Sequence, residues 1–122
     1  MEKKTIVYVD DVSFMLKSVR EMLKEYYTVY AVKSVSKMFE VIERVKPDLI
    51  LLDIEMPDVD GYEALERLKA DERFAAIPVI YLSGNKEEES VRKGLELGAV
   101  DYLSKPFSNL MLIEHIERHL KQ

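Results

Sequence analysis

Residues 47–53 read Pro47-Asp48-Leu49-Ile50-Leu51-Leu52-Asp53. Four large apolar residues in a row stand between a proline that stops the preceding element and an aspartate that ends the run. The run is far too short to span a bilayer. It does not alternate with polar residues, so neither face is meant for water. This is the form of a strand covered on both faces, which occurs where helices flank a parallel sheet.

The chain on either side supplies matching pieces. Upstream, Ile6-Val7-Tyr8-Val9 is short, β-branched and bounded by charge, and it reads as a buried strand ending in Asp10-Asp11. From Ser13 to Lys24, Met15, Leu16, Val19, Met22 and Leu23 recur at helical spacing. Thr28 to Val32 is β-rich again. Ser34 or Ser36 caps the next helix, whose apolar stripe is Val35, Met38, Phe39 and Ile42, and Pro47 stops it. Downstream, Asp53 to Gly61 carries Pro57 and ends in Asp60-Gly61, marking a loop and a helix start. Ala64, Leu65 and Leu68 form a short helical stripe, and Pro78 opens a strand over Val79 to Leu82.

The spacing then predicts a helix over Lys86 to Leu97. Its apolar face is thin, Val91, Leu95 and Leu97, with Gly94 inside it, and Gly98 suits the residue just past its end. Val100 to Leu103 is the fifth predicted strand. Ser108 caps a last helix with Leu110, Ile113, Ile116 and Leu120 predicted inward.

Five β-α units in strict alternation predict an α/β protein, a flavodoxin-like doubly wound (βα)5 domain over residues 1–122. Its five-stranded parallel sheet is expected in order 2-1-3-4-5, with helices on both faces. Composition agrees: the 122 residues are 48% hydrophobic and 34% charged. The net charge of −5 argues against a partner held by phosphate backbone contacts, so no direct nucleic-acid binding is expected. The absence of cysteine excludes disulfide scaffolds, thiolate zinc sites and cysteine nucleophiles. Only His115 and His119 are present, which argues against a histidine-rich metal site. With no apolar span and no signal-peptide pattern, a soluble cytoplasmic domain without membrane attachment is expected.

In such sheets ligands bind at the carboxyl ends of the strands. There the chain places Asp10-Asp11, Asp53, Ser83-Gly84 and Lys105-Pro106. Singly, each has a bland reading: a turn aspartate, a helix cap, a turn proline. Together, on neighbouring strands, they converge. Three carboxylates at short range repel one another, and a hard divalent cation such as Mg²⁺ resolves the conflict while keeping several waters. Lys105, the Ser83 hydroxyl and backbone N–H groups near Gly84 would cradle phosphoryl oxygens. An aspartate can accept a phosphoryl group as an acyl phosphate, and Asp53, at the end of the most buried strand, is the candidate nucleophile.

The residues that carry these features also carry a resemblance covering essentially the whole chain. Ile6 to Asp11, Pro47 to Asp53, Met56-Pro57 with Asp60-Gly61, Ile77 to Gly84 and Gly98 to Phe107 resemble, in order and spacing, the response regulator receiver domain of two-component phosphorelays. The resemblance implies that Asp53 takes a phosphoryl group from a phosphohistidine on a sensor histidine kinase or phosphotransfer protein. It implies Mg²⁺ ligation by Asp11, Asp53 and the main-chain carbonyl of Glu55, with Asp10 acting through water. Ser83 and Lys105 would bind the phosphoryl oxygens, and the Lys105-Pro106 bond would be cis. Tyr102 would turn inward as Ser83 is drawn to the phosphoryl group, switching an output face made of the fourth helix, fifth strand and fifth helix.

Ser83 stands where the family more often has threonine, which keeps the hydroxyl, and Gly84 keeps the approach open. Glu55 and Asn85 flank the site at positions expected to tune phosphoryl lifetime, in a direction the sequence leaves open. No enzyme beyond its own aspartyl phosphorylation and dephosphorylation is expected. Two rival readings are weaker: an interaction module that takes no phosphate, which retention of Asp10, Asp11, Asp53, Ser83 and Lys105 opposes, and a Mg²⁺-dependent phosphatase, whose paired aspartates would stand two apart, unlike Asp10-Asp11. No glycine-rich nucleotide loop occurs. A monomer is expected, with a dimer on phosphorylation as the alternative. The output would be a separate protein target or a domain outside this chain.

Overall fold

The computed structural model describes residues 3–54, 61–84 and 87–120. Strands and helices alternate: β1 (Thr5–Val9), α1 (Ser13–Leu23), β2 (Thr28–Val32), α2 (Val35–Arg44), β3 (Leu49–Asp53), α3 (Gly61–Ala70), β4 (Val79–Ser83), α4 (Glu88–Glu96), β5 (Asp101–Ser104) and α5 (Asn109–Leu120). The sheet is parallel throughout, in the order β2-β1-β3-β4-β5. This is the doubly wound arrangement that the alternation predicts.

The apolar run at Leu49 to Leu52 lies at the centre and is wholly buried. Alternate residues serve opposite faces. Leu49 and Leu51 join Ile6, Tyr8, Ile80 and Leu82 beneath α1 and α5, where Val19, Leu23, Leu112 and Ile116 come down. Ile50 and Leu52 join Val7, Val9, Val79 and Tyr81 beneath α2 and α3, against Met38, Ile42, Leu65 and Leu68. Each large side chain buried this way contributes about 1.5–3 kcal/mol, so β3 anchors both halves of the core.

Local signals decide several boundaries. Ser34, not Ser36, caps α2, its Oγ accepting from the Lys37 N–H at 3.1 Å. Ser108 caps α5 in the same way, accepting from the Met111 N–H at 3.1 Å. Gly98 follows the Leu97 cap of α4 with φ +117°, a backbone region that L side chains avoid.

Three expectations are corrected. The fifth strand begins at Asp101 rather than Val100, which is 42% exposed. On α5 the inward residues are Leu112 and Ile116, flanked by the partly buried Ile113 and Leu120, whereas Leu110 is 68% exposed. Leu110 and Leu112 are two apart, about 200° around a helix, so only one of them can face the sheet. On α4 the fully buried residue is Gly94, while Leu95 is 43% exposed and Val91 only partly covered. That helix sits on the sheet through its backbone.

Candidate functional site

Register brings the predicted residues together. Val9 lies opposite Leu52, so Asp10 and Asp53 leave the sheet side by side. Leu82 lies opposite Asp53, so Ser83 follows at the next position, and Ser83 lies opposite Ser104. Lys105 then leaves β5 beside Ser83, its N–H donating to the Ser83 carbonyl at 3.0 Å. Four strand ends thus meet at one edge.

Among the polar residues described, Asp10, Asp53 and Ser83 are buried. Carboxylate oxygens of Asp10, Asp11 and Asp53 lie within 4.8 Å of one another. Lys105 Nζ stands between two of them, 3.2 Å from Asp53 Oδ2 and 3.5 Å from Asp10 Oδ2. Among the described residues, one ammonium against three carboxylates leaves the cluster net negative, and the carboxylate ligand atoms are all hard oxygens. That set fits Mg²⁺ and does not fit a soft metal.

Asp10 is held at both carboxylate oxygens. Oδ1 accepts from the Val12 N–H at 3.0 Å, and Oδ2 accepts from the Tyr8 hydroxyl at 2.5 Å. Burial pushes the Tyr8 phenol well above its ordinary pKa, and the bond to Asp10 acts in the same direction, so the hydroxyl stays protonated and donates. Sequence reasoning counted Tyr8 only as strand core. The available signal was strand periodicity, since residues two apart share a face, together with the need of a buried tyrosine hydroxyl for a partner.

Gly84 is exposed at the mouth, one residue past Ser83. The Lys105-Pro106 peptide is cis. Glu55 and Asn85 lie outside the described residues, as do Met56, Pro57 and Asp60.

An aromatic pair on β4 and β5 meets α4. Tyr81 and Tyr102 are opposite each other on β4 and β5, with ring centroids 5.2 Å apart. The Tyr81 hydroxyl donates to the Val91 carbonyl at 2.7 Å and to the Ser90 carbonyl at 3.2 Å, and the Tyr62 hydroxyl also reaches Ser90 O at 3.2 Å. Burial raises the Tyr81 phenol above its ordinary pKa, with Tyr62 and Tyr102 adding to the shift, so it too remains a donor. Tyr81 and Tyr62 are functional candidates that hydropathy alone does not reveal.

A family model for the response regulator receiver domain matches residues 6–117. A Vibrio cholerae protein named a probable cyclic di-GMP phosphodiesterase is 38% identical over 117 residues, covering 96% of this chain and 26% of that relative. The phosphate regulon transcriptional regulatory protein PhoB of Pseudomonas aeruginosa is 38% identical over 127 residues, covering 100% of this chain and 54% of that relative. The chain therefore spans about a quarter of one relative and about half of the other. In three dimensions it is similar to a CheY-like response regulator receiver domain protein from Methanospirillum hungatei. That match has a TM-score of 0.88 and 30% identity, covering 98% of this chain and 94% of that one. Among the described residues, no helix is long and apolar enough to cross a membrane.

Proposed function

The chain belongs to the response regulator receiver domain family of two-component signalling, and from that premise we propose that it is a phosphoacceptor switch in which Asp53 is the nucleophile. A carboxylate oxygen of Asp53 attacks phosphorus on a phosphohistidine of a histidine kinase or phosphotransfer protein. The P–N bond breaks, and the imidazole nitrogen keeps its electron pair. The domain acts on no other substrate in this reading, and its own aspartyl phosphate is lost to water.

The carrying observation is the placement of Asp53: buried at a strand end, 3.2 Å from Lys105 Nζ, with Asp10 and Asp11 oxygens within 4.8 Å. Lys105 would shift from the paired carboxylates to a phosphoryl oxygen, and the Ser83 hydroxyl and the Gly84 N–H would meet the others. Asp11 and Asp53, with the main-chain carbonyl of Glu55, would hold Mg²⁺, and Asp10 would act on it through water. When bound, that ion would offset the negative charge gathered in the transition state.

Drawing Ser83 toward the phosphoryl group opens space behind β4, into which Tyr102 turns. Tyr102 touches Tyr81, and Tyr81 carries α4, so the output face of α4, β5 and α5 changes with the phosphoryl state. Glu55 and Asn85 would set the lifetime of that state. The setting is a cytoplasmic phosphorelay, with a monomer before phosphorylation.

Borohydride reduction tests the assignment, because it converts an aspartyl phosphate to homoserine. After incubation with a small acyl-phosphate donor and Mg²⁺, peptide mapping should place homoserine at position 53. Homoserine at another aspartate would contradict the assignment.

A further inference from the structure

Tyr8 has no part in the scheme above, yet its hydroxyl ends inside the acidic cluster. It is fully buried on β1, its ring packed within the core beneath α1 and α5. The hydroxyl donates to Asp10 Oδ2 at 2.5 Å, while the other oxygen, Oδ1, takes the Val12 N–H at 3.0 Å.

We propose that Tyr8 is a positioning residue for the divalent cation: its hydroxyl locks the Asp10 carboxylate in the orientation from which Asp10 meets the ion's water shell. The inference rests on the Mg²⁺ reading of the cluster and deepens it. Two anchors on two different oxygens fix the plane of the Asp10 carboxylate, since rotation about Cβ–Cγ breaks at least one of them. The third contact, Lys105 Nζ at 3.5 Å from Oδ2, is longer and is shared with Asp53. Lys105 is also the group called away to the phosphoryl oxygen in the proposed cycle. Oδ2 then depends on Tyr8.

A phenol ring wedged in a packed core is a rigid mount. It cannot follow Asp10 if the carboxylate turns, so loss of the hydroxyl is felt at the cation site more than in the core. Outer partners that orient metal ligands are commonly worth about 10- to 100-fold in metal affinity.

The test is Tyr8→Phe, which keeps the ring and removes only the hydroxyl. Calorimetric titration of the metal-free protein with Mg²⁺ should give a Kd raised by about tenfold. In phosphorylation by a small acyl-phosphate donor, the half-saturating Mg²⁺ concentration should rise by a similar factor, while the rate at saturating Mg²⁺ falls much less. A merely structural role would lower the thermal midpoint and leave both Mg²⁺ constants unchanged, and that result would overturn the proposal. Should Y8F fail to fold, the wild-type protein decides. The ring resonances of Tyr8 should then shift along the Mg²⁺ titration with the midpoint of binding, and resonances that do not move would overturn it. Wild-type protein that binds Mg²⁺ but takes no phosphoryl group would overturn the phosphoacceptor reading alone, with the Y8F comparison of Kd still deciding for or against Tyr8. Wild-type protein that binds no Mg²⁺ would overturn both.

Discussion

The Tyr81 ring lies flush against the backbone of Gly94: a Cβ added at Gly94 would stand 2.4 Å from Cε1 of that ring. Helix α4 therefore rides on an aromatic surface supplied by the strand that ends in Ser83. Gly94→Ala tests this contact. In an exposed helix the change would stabilise by about 1 kcal/mol through helix propensity. Here overpacking wins, and the protein should instead lose about 1–3 kcal/mol. Denaturant unfolding measures the loss, and faster amide exchange confined to α4 locates it. A more stable G94A protein would contradict the contact.

Removing the Tyr81 hydroxyl keeps the ring and cuts the bond to Val91 O. Tyr81→Phe should cost about 1 kcal/mol of stability and loosen α4 in the unphosphorylated protein, read by amide exchange. If that bond holds α4 in its unswitched position, a phosphoryl analogue such as beryllofluoride should bind Tyr81→Phe more tightly than wild type, because conformation and occupancy of the site are linked at equilibrium. An unchanged exchange pattern in α4 would detach Tyr81 from the switch.

Asp101 ties β5 to α5. Its Oδ2 meets His115 Nδ1 at 2.8 Å, His119 Nε2 at 2.9 Å and Arg118 at 3.4 Å, and its Oδ1 accepts from the Tyr102 N–H at 2.8 Å. Burial alone would push this carboxyl up, but the Tyr102 N–H and the two imidazoles hold it below the usual range. A carboxyl depressed on folding contributes stability that is fully present above its unfolded pKa, about 4, and is lost as pH falls through the lower folded value. Asp101→Asn should thus be less stable than wild type by about 1 kcal/mol near neutrality. The difference should shrink below about pH 4. Denaturant midpoints across that range check it, and a gap that widens in acid would contradict the clamp.

Asp53→Asn should stabilise the metal-free protein. Among the described residues the cluster holds three carboxylates and one ammonium, so removing one negative charge relieves repulsion, with an expected gain of about 1 kcal/mol. Mg²⁺ at a hundred times its Kd should add about 2.7 kcal/mol to wild type and clearly less to the variant. Thermal unfolding with and without Mg²⁺ gives both comparisons.

The architecture and the site edge were legible because each rests on a local pattern. An apolar run that ends in Asp or Ser marks both a buried strand and the place where it leaves the sheet, as at Val9-Asp10, Leu52-Asp53 and Leu82-Ser83. The parallel sheet that brings these ends to one edge follows from the alternation of β and α. What escaped depends on neighbours distant in sequence. Residues 110–113 of α5 are all apolar, so periodicity there selects no face, and the sheet chose Leu112 over Leu110. Gly94 has no side chain for a hydropathy pattern to register, and its partner is a ring on β4. Tyr8 counted as apolar although its hydroxyl reaches the acidic cluster.

Intact mass after incubation with a small acyl-phosphate donor reads the phosphoacceptor step itself, with wild type in Mg²⁺, wild type in chelator and Asp53→Asn in Mg²⁺ compared side by side. One phosphoryl adduct is expected in the first sample and none in the other two. An adduct that survives chelation or the loss of Asp53, or wild-type protein that binds Mg²⁺ yet is modified neither by the donor nor by a phosphorylated histidine kinase, would contradict the phosphoacceptor reading.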